Sequence, residues 1–304
     1  MAERPGHVGG SSGRGGRTAG LVGVVLGALV LVGLAWGIRS IADSAGLGND
    51  EAAVQTTTAT APAGLTLKIV FPEGFTRKEM ATRIAAVNEI ALEKRDVKTR
   101  LSPKAYLRLT ERGALPRDFA KAKIPNLEGF LFPATYSFTK NTTTRGLVTM
   151  QLDAFTNAWE GVDLKYAKSK NLTGYDILII ASMVEKEVQV PKERRLVAAV
   201  IYNRLKAGMP LGIDATIRYG LNVAGTESLR QSHLANPTPY NSRLHTGLPP
   251  TPIANPGLAS LQAAAHPRRV DYLFFARKPD KVHHFFTASE DEFLQYLAEH
   301  GYGG

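Results

Sequence analysis

The sequence predicts an α+β protein: a single N-terminal transmembrane helix, a small α+β unit, and then a larger, mainly helical domain that carries a β-hairpin. Three observations lead there. Residues 19–38 form an unbroken apolar run, strand-like segments are confined to short stretches near 65–71, 128–138 and 270–287, and helix-capping signals open most of what lies between. At 304 residues the chain has room for about two domains. Its 44% apolar and 21% charged residues are ordinary globular values, which exclude a wholly disordered chain. The absence of Cys removes disulfides, thiolate metal sites and a cysteine nucleophile. Of the 37 basic and 27 acidic residues, four and one precede residue 40, so the remainder carries +7 of the net +10. Such a charge suits an acidic polymer or an anionic membrane surface.

Residues 1–18 are rich in Gly, Ser and Arg and are expected to be a disordered cytoplasmic tail. The run at 19–38 has no charged side chain, and at about 1.5 Å per residue a helix of this length crosses a bilayer core. A cleaved leader would have a shorter apolar stretch followed directly by a small-residue cleavage site, whereas here Arg39 intervenes. Arg14 and Arg17 place the N-terminus in the cytoplasm and the bulk of the chain outside. Residues 39–64, rich in Ala and Thr without periodicity, read as a flexible linker.

Order is expected from Leu65, with a strand at 65–71 and a turn at P-E-G (72–74). Thr76 and Glu79 form a T-x-x-E capping box, and Ser102-Pro103 supplies an N-cap with Pro at the first helical position. These elements make up a unit at 65–120. Beyond it, in a domain at 121–304, Pro133 pushes the aromatic stretch 128–138 to a sheet edge or a loop. Val148, Leu152, Phe155 and Trp159 recur at helical spacing as core. Thr173 with Asp176 caps a helix at 174–188, and another follows Pro191 and stops at Gly208. Strands at 270–276 and 282–287 flank the turn K-P-D-K (278–281), and Ser289 with Glu292 predicts a last capping box.

Several residues could carry chemistry. On the 174–188 helix, Ile177, Ala181, Val184 and Val188 define the buried stripe, with Glu185 on one flank and Glu187 on the other. A carboxyl at the edge of an apolar stripe is desolvated and can hold a proton near neutrality, as a general acid must. Salt bridges to Arg194 or Arg195 would explain either glutamate equally well, and helix geometry does not choose between the two. Asn203 falls on an apolar stripe, where its amide must either orient a ligand or tie loops together. Asp214 caps a short helix or serves as a second carboxylate. Residues 236–257 hold six prolines and no periodicity, the composition of a binding wall. Tyr240, Asn241, Thr246 and Asn255 there could meet sugar hydroxyls, while Asn255-Pro256 also reads as a helix N-cap pair. His283 and His284 point to opposite faces of a strand and are not expected to bind metal. No P-loop, G-x-G-x-x-G or G-x-S-x-G occurs, and the scattered basic residues argue against a nucleic-acid surface.

Taken in order, these segments resemble the YceG-like family, the endolytic murein transglycosylases (MltG). The matching pieces are E-G-F-L-F-P-A-T-Y (128–136), A-S-M-V-E-K-E (181–187), Y-N-R-L (202–205), G-M-P-L (208–211), D-A-T (214–216) with Tyr219, P-Y-N (239–241), G-L-P-P (247–250), P-I-A-N-P-G (252–257) and H-H-F-F-T (283–287), in register over about 65–290. The resemblance implies a LysM-like peptidoglycan-binding unit at 65–120 and a lysozyme-like catalytic domain at 121–304. It places the catalytic glutamate at the second Glu of E-K-E, Glu187, and implies substrate-binding roles for Asn203, Asp214, Thr216, Tyr240, Asn241 and Asn255. The implied activity is cleavage of the MurNAc–GlcNAc bond of nascent strands with 1,6-anhydroMurNAc formation, which terminates glycan elongation. The implied site is the outer face of the cytoplasmic membrane, with glycan strands, anionic lipid and peptidoglycan synthases as partners and neither cofactor nor nucleic acid. A muramidase using Glu187 and Asp214, and a non-catalytic peptidoglycan-binding adaptor, are the alternatives. Two positions depart from the family pattern: A-S-E-D-E (288–292) stands where a His-Asn is usual, and Arg243 stands where a tyrosine is frequent.

Overall fold

Strand β1 (Leu67–Val70) runs antiparallel to β2 (Thr135–Phe138), with Ile69 opposite Tyr136, so the segment before residue 120 is paired with the segment after it. The computed structural model describes residues 65–113, 115–119 and 124–301, all within one compact unit, Ala59–Gly304. The expected membrane span at 19–38 and the linker at 39–64 lie outside the described residues. Among the described residues no helix is long and apolar enough to cross a membrane.

Local capping sets several helix starts, most of them where the sequence predicts it. Helix α1 (Arg77–Arg95) opens on the reciprocal Thr76–Glu79 box and α2 (Pro103–Glu111) on Ser102, whose hydroxyl accepts from the Ala105 N–H. Helices α3 (Thr144–Glu160) and α5 (Gly174–Glu187) open on Thr143 and on the Thr173–Asp176 box, with a short α4 (Lys165–Lys168) between them. A 3₁₀ turn at Pro191–Glu193 leads into α6 (Arg194–Ala207), which Gly208 ends in the left-handed region at φ +67. Then come α7 (Asp214–Leu221), α8 (Gln231–Leu234), α9 (Leu258–Ala265), the hairpin β3 (Phe274–Arg277)–β4 (His284–Thr287) and α10 (Glu290–Glu299).

Three expected caps are different. Asp214 is the first residue of α7 rather than its cap. The N-cap of α9 is Gly257, because the side chain of Asn255 is turned into the interior. Ser289 caps α10, but Glu292 takes the Thr287 hydroxyl instead of closing the box. In each case a partner distant in sequence, or a competing hydroxyl, outbids the local bond.

The core is built around α5, in which every residue from Ile177 to Val184 is buried. Full burial of such side chains is worth roughly 1.5–3 kcal/mol each. This helix packs against α6 and α9, and the Ser182 hydroxyl accepts from the Ile253 N–H at 2.9 Å, pinning the proline-rich segment onto it. Phe119, Phe130, Phe155 and Trp159 form an aromatic cluster with Val148 beside them in the core, and Leu152 is half-buried.

Candidate active site

Glu187 is the last residue of α5, where the buried helix emerges into a cleft of about 1390 Å³. The N-terminus of α1, Glu128, α7, Tyr240 and the β3–β4 hairpin form the walls. Burial pushes the Glu187 carboxyl up from its ordinary value and the nearby Asp214 adds to the rise, while Arg277, Arg218 and the Ala215 N–H oppose it. A half-buried acid whose pKa is raised and that still faces open space is suited to protonate a bound group. The other glutamate of the E-K-E element is placed differently. Glu185 accepts the Gly257 N–H at 3.0 Å, at the start of α9, and does not line the cleft. Tertiary structure thus separates two side chains that helix geometry leaves equivalent. Neither forms an ion pair with Arg194 or Arg195, which bond Ser260 and the His266 carbonyl.

Of the other expected site residues, Asp214 and Tyr240 line the same cleft. Asp214 Oδ1 takes two contacts at 2.8 Å from the Arg243 guanidinium, so the arginine standing at a family tyrosine position holds this carboxylate. Tyr240 is half-buried, with its hydroxyl 2.8 Å from that of Thr251 and its ring edge-on to Tyr219 at 5.1 Å.

None of the remaining four lines this cleft, and each bonds the chain itself. Thr216 is fully buried and bonds the Ile213 carbonyl and the Ser242 hydroxyl. Asn241, also fully buried, donates to the carbonyls of Leu234 and Asn236 and accepts the Arg243 N–H. Asn203 donates to the carbonyls of Val270 and Tyr272, on a groove separate from the cleft, and so takes the loop-tying role. Asn255 accepts from the N–H groups of Gly129 and Leu131 and donates to the Phe75 carbonyl and to Glu128. Each amide is spent on the chain itself, where a buried polar group must find partners. Gly129 needs φ +90 there, and a Cβ on it would stand 2.7 Å from Pro252.

Sequence reasoning missed Glu128. The residue is 2% exposed and lines the cleft, its carboxyl accepting from the Arg77 N–H at 3.0 Å, Asn255 Nδ2 at 2.8 Å and the Tyr219 hydroxyl at 3.1 Å. Burial pushes it up to about 7, against the pull of these donors and of the Arg77 charge. The one available signal was a lone acid at the head of an apolar aromatic stretch. The paired histidines part company: His283 bonds Asp280 in the hairpin turn, and His284 bonds Glu193 in the interior.

Comparison with known proteins gives one consistent result. The sequence profile of the YceG-like family matches residues 47–299. The endolytic murein transglycosylase of Bacillus subtilis (strain 168) is 31% identical over 241 residues, which is 78% of this chain and 64% of that protein. The endolytic murein transglycosylase of Streptococcus pneumoniae (strain ATCC BAA-255 / R6) is 31% identical over 253 residues, 76% of this chain and 44% of that protein. The chain therefore spans less than two thirds of the length of either relative. A crystal structure of a YceG-like protein from Listeria monocytogenes matches with a TM-score of 0.60 at 31% identity, covering 75% of each chain.

Proposed function

The chain belongs to the YceG-like family, and on that footing we propose that it is a membrane-anchored, endolytic peptidoglycan lytic transglycosylase in which Glu187 is the acid–base group. The observation that carries this reading is a desolvated carboxyl at the end of the core helix, opening on a cleft large enough for a sugar chain. Most glycosidases use two carboxylates, one as acid and one as base or nucleophile. A transglycosylase manages with one. Protonated Glu187 gives its proton to the oxygen bridging MurNAc and GlcNAc as the bond breaks. The resulting carboxylate then takes the proton of the C6 hydroxyl as that oxygen closes on C1 of the same MurNAc. No water enters, and the product is a 1,6-anhydro sugar. Intramolecular closure is favoured because a well-oriented internal nucleophile has an effective molarity of about 10⁵ M or more.

Asp214, held by Arg243, sits close enough to raise Glu187 and so helps retain the proton before catalysis. Tyr240 and Tyr219 offer ring surface to the sugar. The segment at 19–38 anchors the chain with the catalytic unit outside the membrane, where cutting nascent strands limits their length, next to the synthases that make them.

The test is mass spectrometry of products formed by the full chain in detergent on uncrosslinked strands. Ends one water lighter than hydrolytic ends are expected, with Glu187→Gln slower by at least about a hundredfold, the usual scale of general-acid catalysis. Hydrolytic ends would instead identify a muramidase in which Asp214 activates water. Intact strands with well-folded wild-type protein would identify a binding adaptor.

A further inference from the structure

The hairpin forms one end of the cleft, and the proposed chemistry leaves it unused. Residues opposite one another in an antiparallel ladder, and residues two apart along a strand, share a face. The register pairs Phe275 with Phe286 and Arg277 with His284, so these four lie on one side, and Phe275, Arg277 and His284 line the cleft that holds Glu187. Arg277 is exposed and has no ion-pair partner among the described residues. The side chain of His284 is 2% exposed. Its Nδ1 lies 2.8 Å from Oε2 of the buried Glu193, whose other oxygen faces the His284 N–H at 3.4 Å. Nδ1 therefore carries a proton toward the carboxylate, and this bond orients the ring. The second ring nitrogen, Nε2, is buried without any partner. Buried polar atoms are rarely left so, and an orphan on a side chain that lines a cleft points to a group that arrives with the ligand.

That group has a definable chemistry. Nε2 accepts when the ring is neutral and donates when it is charged, and an amide can answer either state. The guanidinium of Arg277 fits a carboxylate bidentately. The half-buried ring of Phe275 adds an apolar surface beside them. A phosphate would bring two charges toward Glu193 with one guanidinium to offset them, which fits less well. We infer that the inner face of the β3–β4 hairpin is a subsite for the peptide substituent of the glycan, with His284 Nε2 bonding an amide near the sugar and Arg277 pairing with a peptide carboxylate. The substrate class is then the peptide-bearing strand and not bare glycan. This rests on reading the cleft as a glycan site.

The test compares uncrosslinked strands carrying intact peptides with the same strands stripped by an amidase, using the full chain in detergent. The readout is the ratio of kcat/KM between the two substrates, in which any influence of Arg277 on the acidity of Glu187 cancels. The ratio is expected to be about tenfold or more in favour of peptide-bearing strands, as sites built to bond a polar group reject analogues that lack it. It should fall towards one in Arg277→Met and also in His284→Asn, whose amide can still donate to Glu193 but has nothing at the Nε2 position. A wild-type ratio near one, or a ratio unmoved by both variants, overturns the subsite. Binding of the same two strands to Glu187→Gln separates this from the proposed activity. Preferential binding of peptide-bearing strands, alongside a wild type that cuts neither, sinks the catalytic reading and retains the subsite, whereas equal Kd values sink the subsite alone.

Discussion

Glu128 shows at the scale of one residue how a cleft can hold charge without an ion pair. The guanidinium of Arg77 turns away to Thr110, the Leu107 carbonyl and Glu111, so the carboxylate depends on the first N–H of α1, an amide and a hydroxyl. A carboxylate at a helix N-terminus is favoured, yet burial still pushes Glu128 up to about 7. Between the ordinary value of 4.5 and about 7 the folded chain keeps a proton that the unfolded chain has lost. Stability from this group is thus complete below the lower value, falls as pH rises through the window, and is level above it. The total is at most about 3 kcal/mol. Glu128→Gln keeps an acceptor for Arg77 and Asn255, lets the Tyr219 hydroxyl turn to accept, and cannot ionise. The difference in Tm between the variant and wild type should therefore grow from pH 4.5 to 7 and then plateau. A difference independent of pH would mean that Glu128 titrates at its ordinary value.

Between elements, Asn255 joins the proline-rich segment to the turn before α1 and to the turn at 128–131, through partners 124 to 180 residues away. Asn255→Ala strands the Gly129 and Leu131 N–H groups and takes a donor from buried Glu128, while the Phe75 carbonyl keeps the main-chain N–H of residue 255; each unsatisfied group costs about 1–3 kcal/mol. Urea unfolding should show a loss of about 3–5 kcal/mol, and a loss below 1 kcal/mol would mean that the loops can re-pair without it. The same residue marks where sequence reading stops. Thr76–Glu79, Ser102–Pro103, Thr173–Asp176 and Gly208 were legible because donor and acceptor lie within one turn of each other. The capping alternative fails for Asn255 and Asp214 because their partners come from other elements. The pattern of side chains located the α5 stripe and both glutamates, but only packing put Glu185 on α9 and Glu187 in the cleft. Glu128 was invisible for the same reason, since none of its donors is a sequence neighbour.

For the whole molecule, composition suggested a small unit at 65–120 followed by a separate larger one, and the contacts across that boundary make a different physical prediction. The partner of β2 is β1, the Gly74 N–H bonds the Asn255 carbonyl at 2.9 Å, and Lys186 Nζ reaches the Gly74 carbonyl at 3.2 Å. The α1 N-terminus also supplies a donor to Glu128. A fragment beginning at 121 would lose a strand partner, uncover Phe130 where Phe119 packs on it, and leave Glu128 with fewer donors. Two independent domains should unfold in two steps, and the larger should survive alone. Residues 59–304 should instead unfold in one cooperative step. In that fragment Trp159 is the only tryptophan, so its fluorescence reports the aromatic cluster while far-UV circular dichroism reports all helices. Coincident urea transitions from both probes are expected, with no cooperative transition for residues 121–304. Separated transitions, or a stable 121–304 fragment, would show that the cleft does not need the first strand and helix. Coincidence would mean that the floor of the cleft and the helix carrying Glu187 rise and fall together, so that a mutation in the 65–120 segment can disturb Glu187 from a distance.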